Sequence, residues 1–278
     1  MTHEVLLSQG TLRYRDEGAG EPLLFIHGLG VNGALWRRVV PRLSKDFRCI
    51  VPDWPLGSHS VPMADDMDFS LPGLGRLALD FMDALDLPSA TLVGNDGGGA
   101  IAQMVAVERP ERVTRMVLNS SELYELAPPT PFKQLRMASA IPGSTWLSTQ
   151  LLGFRFVQRV AGYGLSVKQG LPDKATMSSY VDPARRLAGI RRDLRRYLRA
   201  MDPRFTLETA EKLRTFDKPV LLLWGDDDRL FPIDFPRRFA AGLPNARLEI
   251  VSNARTFAPE DQPEALADAI ASFVREPA

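Results

Sequence analysis

One carboxylate in a glycine-rich turn is the residue of this 278-residue chain that is best placed for chemistry. Asp96 follows an apolar run at residues 90–93, which predicts a short buried strand, and it precedes a helical pattern at residues 100–107. The chain must therefore turn from strand to helix within a few residues. Gly94 and Gly98 lack the side chains that would obstruct such a turn.

An aspartate at this turn has different chemistry from a serine. Its ordinary pKa is about 3.9, so the carboxylate is ionised at neutral pH and is a nucleophile without an activating base. Attack on an ester would give a reactive anhydride, whereas attack on an sp3 carbon that carries a halide or an epoxide oxygen gives a stable alkyl ester. The residue type therefore favours an electrophilic carbon substrate. A turn aspartate with no catalytic role is the alternative interpretation.

Three segments together resemble the α/β-hydrolase superfamily, in the aspartate-nucleophile branch that contains epoxide hydrolases and haloalkane dehalogenases. The segments are Gly94-x-Asp96-x-Gly98, His27-Gly28-Leu29-Gly30 after a buried strand, and Trp224-Gly225-Asp226-Asp227-Asp228-Arg229-Leu230-Phe231-Pro232. The resemblance implies that Asp96 is the nucleophile and that Asp228 is the acid of the catalytic triad. It also implies that the backbone N–H groups of Leu29 and Gly97 stabilise developing negative charge.

The resemblance extends to two residues near the oxyanion loop. At the end of its strand we expect His27 to have a structural role beside the pocket. The resemblance places Trp36 close to this loop, where we expect the indole to line the pocket.

The histidine that completes the triad in the family is missing from its expected position. Counting back from Gln262-Pro263 puts Thr256 there. A threonine does not titrate near neutral pH, and general-base assistance contributes roughly 10²–10⁴ to a rate. The chain has three histidines in all, namely His3, His27 and His59.

Three interpretations of this missing base stay open. His59, in the loop after the strand at residues 48–51, could activate water, although a loop histidine without a catalytic role is the simpler reading. Asp228 could act as the base directly or through Thr256. The protein could also perform no hydrolysis and instead bind a small ligand or catalyse lyase- or isomerase-type acid–base chemistry.

Two further positions bear on the substrate. In the dehalogenase and epoxide hydrolase relatives the residue after the nucleophile is often tryptophan, or arginine in haloacetate dehalogenases, whereas here it is Gly97. Epoxide hydrolases use cap tyrosines to protonate the ring oxygen, and Tyr197 loosely matches one such position, with a core tyrosine as the alternative. We therefore predict a hydrolase for a small, largely apolar substrate, with an epoxide ahead of a haloalkane.

Strands and helices must alternate to position these residues. Such alternation predicts an α/β fold, and the resemblance makes it an α/β-hydrolase fold with a mostly parallel eight-stranded sheet flanked by helices. The alternation stops between about residues 120 and 216, where helical patterns follow a proline-rich stretch. We predict a core of residues 1–122 and 210–278 with an inserted helical cap of residues 123–209. Seven arginines within residues 185–199 predict a solvated helix face in the cap.

Composition limits the partners. The 34 basic and 34 acidic residues balance, which argues against nucleic acid and membrane as partners. A single cysteine fits a reducing compartment, and the first residues lack the pattern of a signal peptide. We expect a cytoplasmic monomer or homodimer that acts on a small molecule without a cofactor or metal.

Overall fold

Eight strands form one sheet in the computed structural model, which describes residues 2–160 and 162–277. The strands are β1 (Thr2–Leu7), β2 (Gly10–Glu17), β3 (Pro22–Ile26), β4 (Arg48–Pro52), β5 (Ala90–Asp96), β6 (Val113–Ser121), β7 (Val220–Gly225) and β8 (Ala246–Val251). Their order is β1-β2-β4-β3-β5-β6-β7-β8, and β3 to β8 all pair in parallel. Only the β1–β2 and β2–β4 pairs are antiparallel among the described strands. The predicted mostly parallel eight-stranded sheet is confirmed.

The central strands are buried on both faces because their sequences are continuously apolar. In β3, Leu24 and Ile26 pack into one hydrophobic cluster, whereas Leu23 and Phe25 pack into the other. This alternation follows from the two-residue period of a strand. Burying each such side chain contributes roughly 1.5–3 kcal/mol, so the sheet is a firm platform for residues at its edge.

Helices cover both faces of the sheet. Their bounds are α1 (Val40–Leu43), α2 (Leu71–Ala84), α3 (Gly97–Glu108), α4 (Thr130–Ala138), α5 (Ser144–Leu151), α6 (Arg155–Val160), α7 (Gly162–Ser166), α8 (Lys174–Arg186), α9 (Ala188–Ala200), α10 (Pro203–Lys212), α11 (Asp234–Ala241), α12 (Ala258–Asp261) and α13 (Pro263–Arg275). Side chains of α2, α3 and α11 join the first hydrophobic cluster, and those of α1 and α13 join the second. None of the described helices is long and apolar enough to cross a membrane.

The helices α4 to α10 lie between β6 and β7, where the alternation of the sequence stops. They form the region that we call the cap. The predicted boundaries after residues 122 and 209 stay predictions. The second of them falls inside α10, a helix that packs against α3 of the core.

Candidate active site

The turn between β5 and α3 presents the Asp96 side chain at the carboxyl edge of the sheet. β5 ends at Asp96 and α3 begins at the next residue. The Asp96 backbone has φ 54° and ψ −127°, which is uncommon for a residue with a Cβ. A Cβ at Gly98 would overlap the backbone oxygens of Ile26 and His27, so the glycine is what lets α3 start this close to β3.

The Asp96 carboxylate is buried but hydrogen-bonded. Its Oδ2 accepts a hydrogen bond from the Leu29 N–H at 3.0 Å. Burial raises the pKa of Asp96 to about 7, against the hydrogen bonds from the N–H groups of Leu29 and Gly97, and the nearby Asp228 raises it further. The two N–H groups implied by the resemblance therefore both face the Asp96 carboxylate. A substantial fraction of Asp96 is ionised at neutral pH.

Asp228 and Thr256 form a hydrogen-bonded pair beside this carboxylate. Asp228 Oδ1 accepts hydrogen bonds from Thr256 Oγ1 at 2.9 Å and from two backbone N–H groups, whereas its buried Oδ2 has no partner among the described residues. Burial raises the pKa of Asp228. Asn95 Nδ2 donates to the Thr256 carbonyl oxygen at 2.7 Å, which joins the last loop to the turn. The structure therefore brings together the residues assigned to the acid and histidine positions.

The space above Gly97 is occupied by two acidic groups. The point that a Gly97 Cβ would occupy is 2.7 Å from the Tyr197 hydroxyl oxygen and 4.0 Å from Glu122 Oε2. Burial, and then the charge of Asp96, raise the pKa of Glu122 well above its usual value. Burial also raises the pKa of Tyr197, as do the charges of Glu122 and Asp96. Tyr197 is therefore protonated at neutral pH, and the upward shift favours the protonated form of Glu122, so both groups are potential proton donors.

Glu122 is a residue that the sequence analysis missed. It directly follows β6, and its backbone N–H donates to the Asp96 carbonyl oxygen at 3.2 Å. The signal was its position at the carboxyl end of a parallel strand, where ligands bind in such sheets. A glutamate at the start of a loop looks like an ordinary solvated residue in a sequence, whereas the structure buries it.

His59 lies against the cap and not with Asp96. Its Nε2 is 3.2 Å from Oδ2 of Asp193 on α9, and this fully buried carboxylate also accepts a hydrogen bond from the Met63 N–H. The interpretation of His59 as the base that activates water is therefore corrected: its partner is a cap carboxylate. The residue fixes α9 over the loop that follows β4.

The arginines of α9 are not simply a solvated face. Arg192 and Arg196 donate to backbone carbonyl oxygens of the same loop after β4, at residues 63, 64 and 67. Arg195 donates to the Ser139 carbonyl oxygen of the cap. These contacts hold α9 in place and thereby hold Tyr197 over Gly97.

Two residues of the oxyanion region are structural. His27 Nε2 accepts a hydrogen bond from the Trp54 N–H at 2.8 Å, so Nδ1 carries the proton and donates to the Gly28 carbonyl oxygen. Burial lowers the pKa of His27 to about 4, which keeps the ring neutral. Trp36 packs against Phe25 in the core and is absent from the wall of the cavity described next, so its predicted position as a pocket residue is wrong.

A largely apolar cavity of about 440 Å³ extends from Asp96 into the cap. Its wall includes Leu29 and Phe257 of the core and Leu135, Leu152 and Val157 of the cap. A smaller recess of about 20 Å³ is lined in part by Gly97, Glu122 and Tyr197 and has room for about one water or one substrate oxygen. Within residues 2–160 and 162–277, no group of three or more metal-ligating side chains is arranged around a common point.

Comparison with known proteins finds relatives that are named as a dehalogenase and as a decarboxylase. The profile of the α/β-hydrolase fold matches residues 21–263. Haloalkane dehalogenase 2 of Mycobacterium tuberculosis is 32% identical over 272 residues, which are 95% of this chain and 91% of that protein. A cis-3-alkyl-4-alkyloxetan-2-one decarboxylase of Shewanella oneidensis is 30% identical over 275 residues, which are 95% of this chain and 85% of that protein.

A solved structure supports the fold assignment. The epoxide hydrolase CorEH, without ligand, superposes with a TM-score of 0.83 at 20% sequence identity and covers 98% of each chain. At this level of identity the similarity shows the shared fold alone.

Proposed function

This chain belongs to the α/β-hydrolase fold family, and from that premise we propose that it opens a small, largely apolar oxygen ring such as an epoxide, with Asp96 as the nucleophile. The arrangement above Gly97 is the observation that carries the proposal. A buried carboxylate at the turn faces an apolar cavity, and two potential proton donors with raised pKa values, Tyr197 and Glu122, stand beside it where a leaving oxygen needs a proton.

Ring opening is the first step of the proposed reaction. A carboxylate oxygen of Asp96 forms a bond to a ring carbon while the carbon–oxygen bond of the ring breaks. The ring oxygen takes a proton from Tyr197 or Glu122 and becomes a hydroxyl group, which leaves a hydroxyalkyl ester on Asp96. Only ionised Asp96 attacks, so the rate of this step rises with pH through about 7.

Hydrolysis of this ester is the second step. Water adds to the ester carbon, and the N–H groups of Leu29 and Gly97 stabilise the resulting oxyanion. The Thr256 hydroxyl accepts a proton from this water as it passes its own proton to Asp228. Breakdown of the intermediate cleaves the bond between the carboxyl carbon and the alkoxide oxygen, which takes back the proton from Asp228 through Thr256 and leaves as the diol. The remaining proton on the Asp96 carboxyl group returns to the acid that was deprotonated in the first step, which restores the Asp96 carboxylate. A threonine is a poor relay compared with an imidazole, so we expect this step to limit the rate.

The same arrangement disfavours a halide as the leaving group. A departing halide carries negative charge and needs no proton, and it gains most from N–H donors on a fixed side chain. Here Gly97 offers no side chain, and the adjoining space holds a carboxyl group whose ionised form would repel an anion. Both acids can instead protonate an oxygen, which supports an epoxide over a haloalkane.

Intact-protein mass spectrometry after incubation with matched panels of epoxides and haloalkanes tests the proposal. We expect an adduct with the mass of the epoxide, located on Asp96 by peptide mapping, and a loss of this adduct in Asp96→Asn. Asp227→Asn is the matched control because Asp227 lies in a partly exposed loop and pairs with Arg255. If no adduct forms and no turnover is detected with either panel, the proposal is wrong.

Thr256→His tests the relay. This variant supplies an imidazole beside Asp228, so we expect decay of the Asp96 ester to accelerate by about 10²–10⁴. A folded variant with an unchanged decay rate would show that Thr256 does not occupy the position of the base.

A non-hydrolytic reaction is the second candidate, and the Thr256–Asp228 pair is the observation that favours it. No imidazole contacts this pair in the described part of the chain. A relative is named as a decarboxylase of a dialkyl-substituted oxetanone, a strained ring that opens with loss of carbon dioxide. Release of carbon dioxide and an alkene from such a ring, with no incorporation of water, would support this candidate over hydrolysis.

A further inference from the structure

The outer surface of the cap exposes an unusual number of large apolar side chains. Of twelve such exposed side chains in the described part of the chain, eight fall within residues 137–160. They belong to α4, α5, α6 and the connections between these helices, and we call them the cap apolar face. The members are Met137, Ile141, Trp146, Leu147, Leu151, Phe154, Phe156 and Val160. Apolar patches of this kind mark sites of interaction.

The segment that carries the cap apolar face has charged residues of one sign. Residues 126–172 contain five cations, namely Lys133, Arg136, Arg155, Arg159 and Lys168, and no aspartate or glutamate, although the whole chain is balanced. Lys133, Arg155 and Arg159 are exposed and have no ion-pair partner among the described residues. The balanced total therefore conceals a cationic and apolar surface.

We propose that the cap apolar face docks on an anionic phospholipid bilayer. Tryptophan and phenylalanine side chains insert at the boundary between headgroups and acyl chains, and surrounding lysine and arginine side chains bind the anionic headgroups. Trp146, Phe154 and Phe156 are more than half exposed and supply the apolar part. Lys133, Arg155 and Arg159 supply the electrostatic part. This docking is peripheral and requires no membrane-spanning helix.

A second copy of the chain fits this surface less well. In a symmetric dimer through the cap apolar face, the five cations of one copy would approach those of the other, without an acidic residue from either segment to neutralise them. An anionic bilayer satisfies both the charge and the apolar side chains. The positive charge of residues 126–172 therefore favours an anionic lipid surface over a second copy of the chain.

The large cavity and the cap apolar face share two residues. Leu151 and Val160 are exposed on the cap apolar face and also line the cavity that reaches Asp96. Docking would therefore place this part of the cavity wall against lipid, where apolar molecules concentrate. The docking itself does not depend on the chemistry at Asp96.

Co-sedimentation of the full chain with vesicles tests the proposal. We expect binding to phosphatidylcholine vesicles that contain phosphatidylglycerol, and at least about tenfold weaker binding to pure phosphatidylcholine. Each cation at an anionic surface contributes roughly fivefold in affinity, so Lys133→Glu/Arg155→Glu/Arg159→Glu should lose about 100-fold or more. Phe154→Ser/Phe156→Ser should also reduce binding, and wild-type binding should weaken as salt rises.

Matched variants outside the cap provide the controls. Arg214→Glu/Arg237→Glu changes exposed arginines of the same charge, and Leu6→Ser/Ile250→Ser changes exposed apolar residues on the sheet. Both should bind vesicles as the wild type does, and circular dichroism verifies that every variant is folded. Equal binding to both kinds of vesicle, no binding, or equal losses in the control variants would overturn the proposal. A dimer in solution that the Phe154→Ser/Phe156→Ser variant dissociates would also overturn it.

Discussion

The core and the cap use apolar surroundings in different ways. In the core, apolar side chains enclose a few polar groups, and this burial raises the pKa values of Asp96, Glu122 and Asp228. In the outer cap, the segment around α6 leaves Phe154 and Phe156 exposed near Arg155 and Arg159. Burial in the core destabilises the ionised forms of these carboxyl groups. Exposure in the cap leaves apolar surface that a partner can bury.

The comparison predicts that the turn at Asp96 is far less tolerant of a new side chain than the start of α7 in the cap. Gly98→Ala should cost about 4 kcal/mol or more in the free energy of unfolding, because the new Cβ meets two backbone oxygens that cannot move away. Gly162→Ala in α7 is the matched change: outside its own helix and the adjacent residues, the described atoms nearest to the new Cβ belong to the Phe132 ring at 3.5 Å. Urea unfolding measures both. Similar losses in the free energy of unfolding for the two variants would show that the two regions tolerate a new side chain equally well.

The second prediction concerns the electrostatic cost of Asp96. Its pKa is near 3.8 in the unfolded chain and about 7 in the folded one, so the folded state binds more protons between these values and stability falls as pH rises. Asp96→Asn removes this loss, so its advantage over the wild type should grow by roughly 3 kcal/mol between pH 5 and pH 8.

Urea unfolding at a series of pH values checks this advantage. Asp227→Asn is the control with the opposite sign, because the hydrogen bond from Arg255 lowers the pKa of Asp227. Its substitution should give no gain in stability at pH 8. If the difference in the free energy of unfolding between Asp96→Asn and the wild type is constant across this range, burial does not raise the pKa of Asp96.

The third prediction distinguishes proton donation by the two acids above Gly97 from nucleophilic attack by Asp96. Glu122→Gln and Tyr197→Phe should each lower kcat/KM for ring opening of an epoxide by about 10², because each removes a proton donor to the leaving oxygen. Adduct formation from an alkyl halide needs no proton, so its rate should change little. Equal losses with both kinds of substrate would show that these residues only shape the site.

The smallest effect is expected in the cap. Phe156 is 74% exposed, so Phe156→Ala should change the free energy of unfolding by less than about 0.5 kcal/mol. Phe25→Ala removes a fully buried ring from the sheet and should cost about 3–5 kcal/mol. Thermal or urea unfolding measures the pair. A loss above about 1 kcal/mol in Phe156→Ala would mean that the ring packs within the cap and is not free for a partner.

The sequence predicted those features that depend on local patterns. The turn at Asp96 was recognisable because Gly94 and Gly98 stand at fixed spacing between a strand and a helix, and the structure has that geometry. Asp228 and Thr256 were identified because their loops resemble those of the family, and they form a hydrogen-bonded pair. Burial and long-range pairing leave no such pattern.

The surroundings of His59 and Glu122 could not be predicted from the sequence because they depend on residues far away in the chain. The partner of His59 is Asp193, 134 positions away on a cap helix, and nothing near His59 in the chain indicates it. Glu122 becomes a buried acid only because Tyr197 of the cap packs next to it over Gly97. The expectation of no membrane partner stays a prediction; it rests on the total charge, which does not show the uneven distribution of charge between cap and core.

A single turnover in ¹⁸O-labelled water tests whether Asp96 is the nucleophile. Excess enzyme is mixed with an epoxide that it opens, and both the diol and the peptide that contains Asp96 are analysed by mass spectrometry. If Asp96 attacks the ring, the diol of this first turnover carries unlabelled oxygen from Asp96 and the label enters the Asp96 carboxylate. Label in the diol with none in the Asp96 peptide would mean that water attacks the ring directly and that Asp96 is not the nucleophile.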